Sequence, residues 1–217
     1  MIRAALTLFF VVAIGIPLQA GSTGFDLGLR YGAGFCSLGQ DPFMERTGDH
    51  YSFINFSIAG ELVVRDIFRV EVDLLFDERG FTKIRGNEAR HVLYFLEVPV
   101  VLKLYPFKYV YLGTGVGCAF KVGSRPPSRS RSFSGAIMGY RHFVSEKMKN
   151  FEVNHVLVLG ASVPVYRGLS VIVECRHNYG LTSINSHKNK SVLLPPQDFI
   201  ERFRTLYLFV GANYRVW

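Results

Sequence analysis

The sequence predicts an all-β fold, an eight-stranded antiparallel up-and-down β-barrel that crosses a membrane. Three observations carry that reading. Apolar and polar residues alternate along eight segments, so each segment used as a strand has one greasy face and one small or charged face. The connections between these segments alternate strictly between long and short. No helical period persists over any long stretch, and 21 glycines with 19 phenylalanines in 217 residues fit β structure rich in turns.

The segments follow in order. Residues 25–35 place Phe25, Leu27, Leu29, Tyr31, Ala33 and Phe35 opposite Asp26, Gly28, Arg30, Gly32 and Gly34. Residues 52–64 place Ile54, Phe56, Ile58, Leu62 and Val64 opposite Asn55, Ser57, Ala59 and Glu61. Residues 67–77 set Phe68, Val70, Val72, Leu74 and Phe76 against Arg69, Glu71, Asp73 and Asp77. In 92–104, Tyr94, Leu96, Val98, Val100, Leu102 and Leu104 oppose Glu97, Pro99 and Lys103; in 109–122, an apolar face opposes Gly113, Gly115, Gly117 and Lys121. Residues 151–165 oppose an apolar face to Glu152, Asn154, Gly160 and Ser162, and 169–181 do the same with Ser170, Glu174, Arg176 and Asn178. The last segment, 203–217, has mixed faces.

Long connections at 37–51, 78–91, 123–150 and 182–202 interleave with short ones at 65–66, 105–108 and 166–168. An antiparallel meander then collects every long loop at one end and every short turn at the other, the arrangement of an outer-membrane barrel. At about 3.3 Å per residue and a tilt near 40°, roughly ten residues cover the apolar band of about 25 Å. The chain ends on Trp217, an aromatic terminus common in barrels of this kind.

Residues 1–20 read as a secretory signal peptide: Arg3, an apolar run over 4–16, then Pro17-Leu18-Gln19-Ala20. That run is shorter than a membrane-spanning helix requires. Cleavage after Ala20 leaves 21–217 as the barrel and removes Arg3 alone, lowering the formal charge of +8 by one. An exported basic chain does not meet nucleic acid, so the expected partners are outer-membrane lipid and, through external loops, lipopolysaccharide, acidic glycan or a secretion-system protein. Cys36, Cys118 and Cys175 are too few and too widely spaced for a disulfide framework or a metal site.

The stretch FLEVPVVLKLYPFKYVYLGTGVG, residues 95–117, resembles the strand–turn–strand hallmark of the outer-membrane "porin family" barrels of the PorT-like group, common in Bacteroidetes. Glu97, Pro99, Lys103, Gly113, Gly115 and Gly117 match its acidic, proline, lysine and alternating-glycine positions. The resemblance implies an eight-stranded barrel in the bacterial outer membrane, and for some members assistance to protein secretion. Two departures stand out. Gly211, Asn213 and Arg215 share the face of Trp217 where apolar residues are usual, and the basic loop 123–150 is long.

An eight-stranded barrel has an interior only wide enough for side chains. The inward face would collect Asp26, Arg30, Glu61, Arg69, Glu71, Asp73, Glu97, Lys103, Lys121, Glu152, Glu174 and Arg176, a nearly balanced set that must pair when buried. Pro99 cannot donate a ladder hydrogen bond, so a bulge or irregularity is expected there. Loop 123–150 offers Arg125, Arg129 and Arg131 as external contacts. His50, His91, His142 and His187 fall in or near external loops and His155 and His177 on the apolar face, but no nucleophile motif accompanies them, so neither catalysis nor a cofactor is expected. The reading is a structural, surface-contact or secretion-assisting barrel. The alternatives are a narrow solute channel, or a secreted lipocalin-like barrel with its apolar face turned inward around a ligand.

Overall fold

The computed structural model describes residues 24–39, 47–48, 50–65, 67–84, 88–125, 149–182 and 202–216. The strands are β1 (Gly24–Gly39), β2 (Thr47–Gly48), β3 (His50–Arg65), β4 (Phe68–Ile84), β5 (Glu88–Leu104), β6 (Val110–Arg125), β7 (Phe151–Tyr166), β8 (Leu169–Gly180) and β9 (Arg202–Arg215). Each long strand pairs antiparallel with its sequence neighbour, and β1 pairs with β9 from Asp26↔Arg215 to Gly39↔Arg202, which closes eight strands into a barrel. The two-residue β2 only extends the edge of β4 beyond the barrel, at Thr47↔Lys83.

The inside–outside alternation settles which face meets lipid. Leu29, Tyr31, Leu159, Val173, Leu208 and Val210 stand outward and more than half exposed, whereas Glu61, Glu71, Asp73, Glu97, Lys103 and Arg176 are fully buried. A lipocalin-type barrel would invert this pattern; the alternative of an apolar inner lumen is therefore corrected. An apolar outer belt is unfavourable in water and is what hydrocarbon requires.

Along β9 the outward column reads Arg202, Arg204, Leu206, Leu208, Val210, Ala212, Tyr214. Ten residues separate Arg204 from Tyr214, which at about 3.3 Å each and a tilt near 40° span about 25 Å, the height of an apolar band. Exposed Phe107, Tyr109, Tyr166 and Tyr214 ring the short-turn end. Toward the other end, Phe56, Phe76 and Tyr94 stack in a ladder with centroids 5.3 and 5.9 Å apart. Aromatic rings at both edges of the belt suit the two headgroup regions.

One expectation needs revision and another finds its explanation. The long connection at 78–91 is mostly strand: β4 runs on to Ile84 and β5 begins at Glu88, paired from Asp77↔Phe95 to Ile84↔Glu88. His50 and His91 accordingly lie in β3 and β5. The last strand is mixed in composition on both faces, as expected, yet its burial alternates. Phe203, Thr205, Tyr207 and Phe209 are buried inward, while Leu206, Leu208 and Val210 face out. Its inner face can carry aromatic rings because the facing strand supplies the space: Gly32 pairs with Phe209 and Gly34 with Tyr207. A Cβ on Gly32 would lie 2.6 Å from the Phe209 ring, and one on Gly34 3.0 Å from that of Tyr207.

Pro99 shows the expected irregularity, though not as a bulge. The β4–β5 pairing is in register on both sides, at Val72↔Val100 and Leu75↔Glu97, and lapses at the two positions between. The proline sits where its missing N–H would otherwise face Asp73. On its other side Pro99 pairs regularly with Gly117. The signal-peptide segment, Trp217, His142 and His187 lie outside the described residues.

Candidate functional site

The barrel interior is the one concentration of chemistry among the described residues, and it is arranged in tiers. Nearest the short turns, Arg215 donates to Asp26 at 2.9 Å and Arg69 bridges Glu61 at 2.7 Å and Asp26 at 3.5 Å. The Arg69 guanidinium also lies 4.1 Å from the centre of the Tyr105 ring. Tyr105 lies between β5 and β6, where burial pushes its phenol upward, so it stays a neutral platform for the cation.

The middle tier is denser. Glu71 accepts from Arg30, from Lys103 and, at 3.1 Å, from Arg176. Lys103 also reaches Glu61 at 3.1 Å, linking this tier to the one below. Arg176 holds Asp73 at 2.6 Å and Glu174 at 2.7 Å, and the Tyr111 hydroxyl donates to Glu174 at 2.7 Å. Four carboxylates (Glu61, Glu71, Asp73, Glu174) thus alternate with Arg30, Lys103 and Arg176, and Arg69 adds a fourth cation from below. Desolvating this many charges is tolerable only because each finds opposite charge and directed hydrogen bonds.

The third tier, toward the long connections, is acid-rich. Among the described residues Arg79 alone pairs with Asp77, Glu97 and, at 2.6 Å, Glu152. Asn178 donates to Glu97 at 2.9 Å. The Arg79 guanidinium sits 4.8 Å from the centre of Phe95, which packs with Cys36, Leu93, Ala119 and Phe203 into an apolar layer. On the β5–β8 wall a second layer of Val101, Tyr105, Tyr111, Val156, Val158 and Ile172 fills the lower lumen.

Eleven of the twelve expected interior charges meet in this network. Lys121, half-buried near the long-connection end of β6, takes no part in the contacts above. Three members were missed. Asp77 was visible on the polar face of its segment but left out of the interior set. Arg79 lay in the stretch expected to be loop, and only continuing the alternation past residue 77 would have found it. Arg215 registered as a departure at the terminus, whereas it closes the bottom tier against Asp26 across the β1–β9 seam.

Glycines make the packing fit. Gly113 stands opposite Lys103, where a Cβ would lie 3.2 Å from the lysine Cγ, and a Cβ on Gly117 would collide with the Glu97 carboxylate. Gly115 allows the closest approach of all: a Cβ there would strike the backbone carbonyl of Val100. Gly113 and Gly117 are thus the complement of Lys103 and Glu97 on β5. The carboxylates and guanidiniums of the middle tier, Glu71, Asp73, Glu174, Arg30 and Arg176, are buried from solvent.

No family model and no curated protein matches the sequence. Among solved structures, the outer membrane protein OprG from Pseudomonas aeruginosa aligns over 91% of this chain and 98% of its own, with a TM-score of 0.51 and 10% identity. The chain has the fold of an outer-membrane β-barrel. Neisserial surface protein A is also similar, over 89% of this chain and 98% of its own, with 15% identity and a TM-score of 0.47. AlkL, an outer membrane protein studied in lipid bilayers, aligns over 91% of this chain and 92% of its own at 11% identity, with a TM-score of 0.47. At such identities the likeness is one of fold alone, so the barrel's role has to come from its own residues.

Proposed function

We propose that this barrel is an integral protein of the bacterial outer membrane with a non-catalytic surface-contact role, holding basic segments outside the bilayer on a sealed body. The filled lumen carries the reading: Glu71, Asp73, Glu97, Lys103 and Arg176 have no accessible surface, so the interior serves as a plug. What remains for interaction is the chain beyond the long-connection end, together with the outer wall. Arg125, exposed at the end of β6, marks where the basic segment leaves the barrel. Arg129 and Arg131 belong to that segment and lie outside the described residues. Acidic glycan, lipopolysaccharide phosphate or an acidic face of a secretion-system protein suits such a segment through charge complementarity. Secretion assistance is the version that the resemblance to the PorT-like group favours.

The loop is tested with the triple variant Arg125→Gln, Arg129→Gln, Arg131→Gln. On a resin bearing a sulfated polysaccharide the variant is expected to elute at clearly lower salt than the unaltered barrel. Identical elution would remove the loop from the account.

A further inference from the structure

The outer wall carries a second basic feature, unconnected with the loop. Arg202 and Arg204 both lie on the outward column of β9, just beyond the apolar run that begins at Leu206. Both converge on Tyr179 of β8, the direct partner of Arg204 in the ladder. The Arg202 Nη1 donates to the Tyr179 hydroxyl at 3.4 Å, and the Arg204 guanidinium lies 5.3 Å from the centre of the tyrosine ring. Two cations thus share one phenol ring. Among the described residues neither has a carboxylate within ion-pairing distance, and the Arg202 Nε is shielded from water without an acceptor.

That arrangement contrasts with the interior, where every guanidinium is matched by carboxylates. Two like charges held together at the edge of a lipid-facing belt repel unless an anion joins them. Their height fixes where the anion comes from. By the span of β9, Arg204 sits one band height from Tyr214, hence at the level of the headgroups on the long-connection side. A guanidinium pair in that zone matches the oxygens of a phosphate, taking it in paired charge-assisted hydrogen bonds, while the lipid tails run down the stripe of Leu206, Leu208 and Val210. We propose that Arg202, Arg204 and Tyr179 form a site on the outer wall for the phosphate of an anionic membrane lipid.

The test uses the folded full-length barrel in neutral detergent micelles doped with phosphatidylglycerol, with lipid retention read by native mass spectrometry. The double variant Arg202→Gln, Arg204→Gln is expected to retain about ten-fold less lipid or lower still, since each basic side chain near an anionic surface contributes substantially to attraction. Arg167→Gln, at an exposed position by the short-turn end, serves as the control and retains the lipid as the unaltered barrel does. The exposed single variant Arg204→Gln shows an intermediate loss, and heat-modifiable gel migration confirms that each variant is folded. Equal retention by the double variant and the unaltered barrel overturns the site. So does an equal loss in the Arg167 control, which would mean attraction by net charge alone. Ready displacement by millimolar inorganic phosphate marks a bare anion site and overturns the lipid assignment. The loop variant of Arg125, Arg129 and Arg131 is expected to keep its lipid, so this proposal and the loop reading can fail separately.

Discussion

Replacing Arg79 with methionine is expected to abolish refolding of the barrel, or to lower its urea midpoint drastically. Among the described residues Arg79 is the one cation ion-paired with Asp77, Glu97 and Glu152, and all four side chains are buried. Removing one partner of a buried ion pair costs about 3–5 kcal/mol, because the remaining charge stays desolvated without compensation. Here three carboxylates lose a shared partner together. The loss should be recoverable by chemistry rather than by volume: Arg79→Met combined with Asp77→Asn, Glu97→Gln and Glu152→Gln removes the stranded charge and is expected to restore the folded, heat-modifiable band. The measurement is that gel shift followed through a urea series in a bilayer. An unchanged midpoint for the single variant would show that the third tier is not held by Arg79.

The second large effect is on the opposite face. Leu208 stands outward and 61% exposed, midway along the β9 column between Arg204 and Tyr214. Were that face in water, Leu208→Arg would be nearly neutral, as surface substitutions usually are within about 0.5 kcal/mol. At the middle of a hydrocarbon band an arginine on a lipid-facing strand costs about 2–4 kcal/mol. We therefore expect Leu208→Arg to unfold at much lower urea in vesicles, while Leu208→Ala falls only slightly. A neutral Leu208→Arg would place the belt outside a membrane.

Most of the architecture was legible because a barrel with one lipid face and one packed face imposes period-two alternation on every strand, and a slip of one residue would turn each strand inside out. That constraint made Glu97, Lys103, Glu174 and Arg176 readable as interior residues from their parity alone. It failed where parity and composition disagree. On β9 the inner face carries Phe203, Tyr207 and Phe209, so polarity no longer marked it; the matching information sat some 170 residues away, in Gly32 and Gly34 of β1. Between residues 78 and 91 the abundance of charge and glycine resembled a loop, yet Arg79 is charged because it faces the lumen. Pairing partners were beyond the sequence altogether. Nothing local says that Arg79 reaches Glu152 on β7, or that Arg215 at the end of the chain pairs with Asp26 at its start.

The glycines of 113–117 illustrate the reverse case, in which the local pattern did carry the packing. Each sits on β6 facing β5, and the bulk that each omits is occupied by Val100, Glu97 or Lys103. The proline among those residues interrupts pairing with β4 for two positions without shifting its register. A closed barrel can absorb that lapse because the pairs on both sides still set the strand in place.

The central claim is that this barrel spans a bilayer and is sealed by its own charges. Its most direct measurement is ionic current through the purified, refolded barrel in a planar bilayer at neutral pH. The structure predicts a silent membrane, with no discrete opening steps at any moderate voltage, because the tier of Glu71, Asp73, Lys103, Glu174 and Arg176 leaves no space for a hydrated ion. A reproducible, sizeable open state would contradict it.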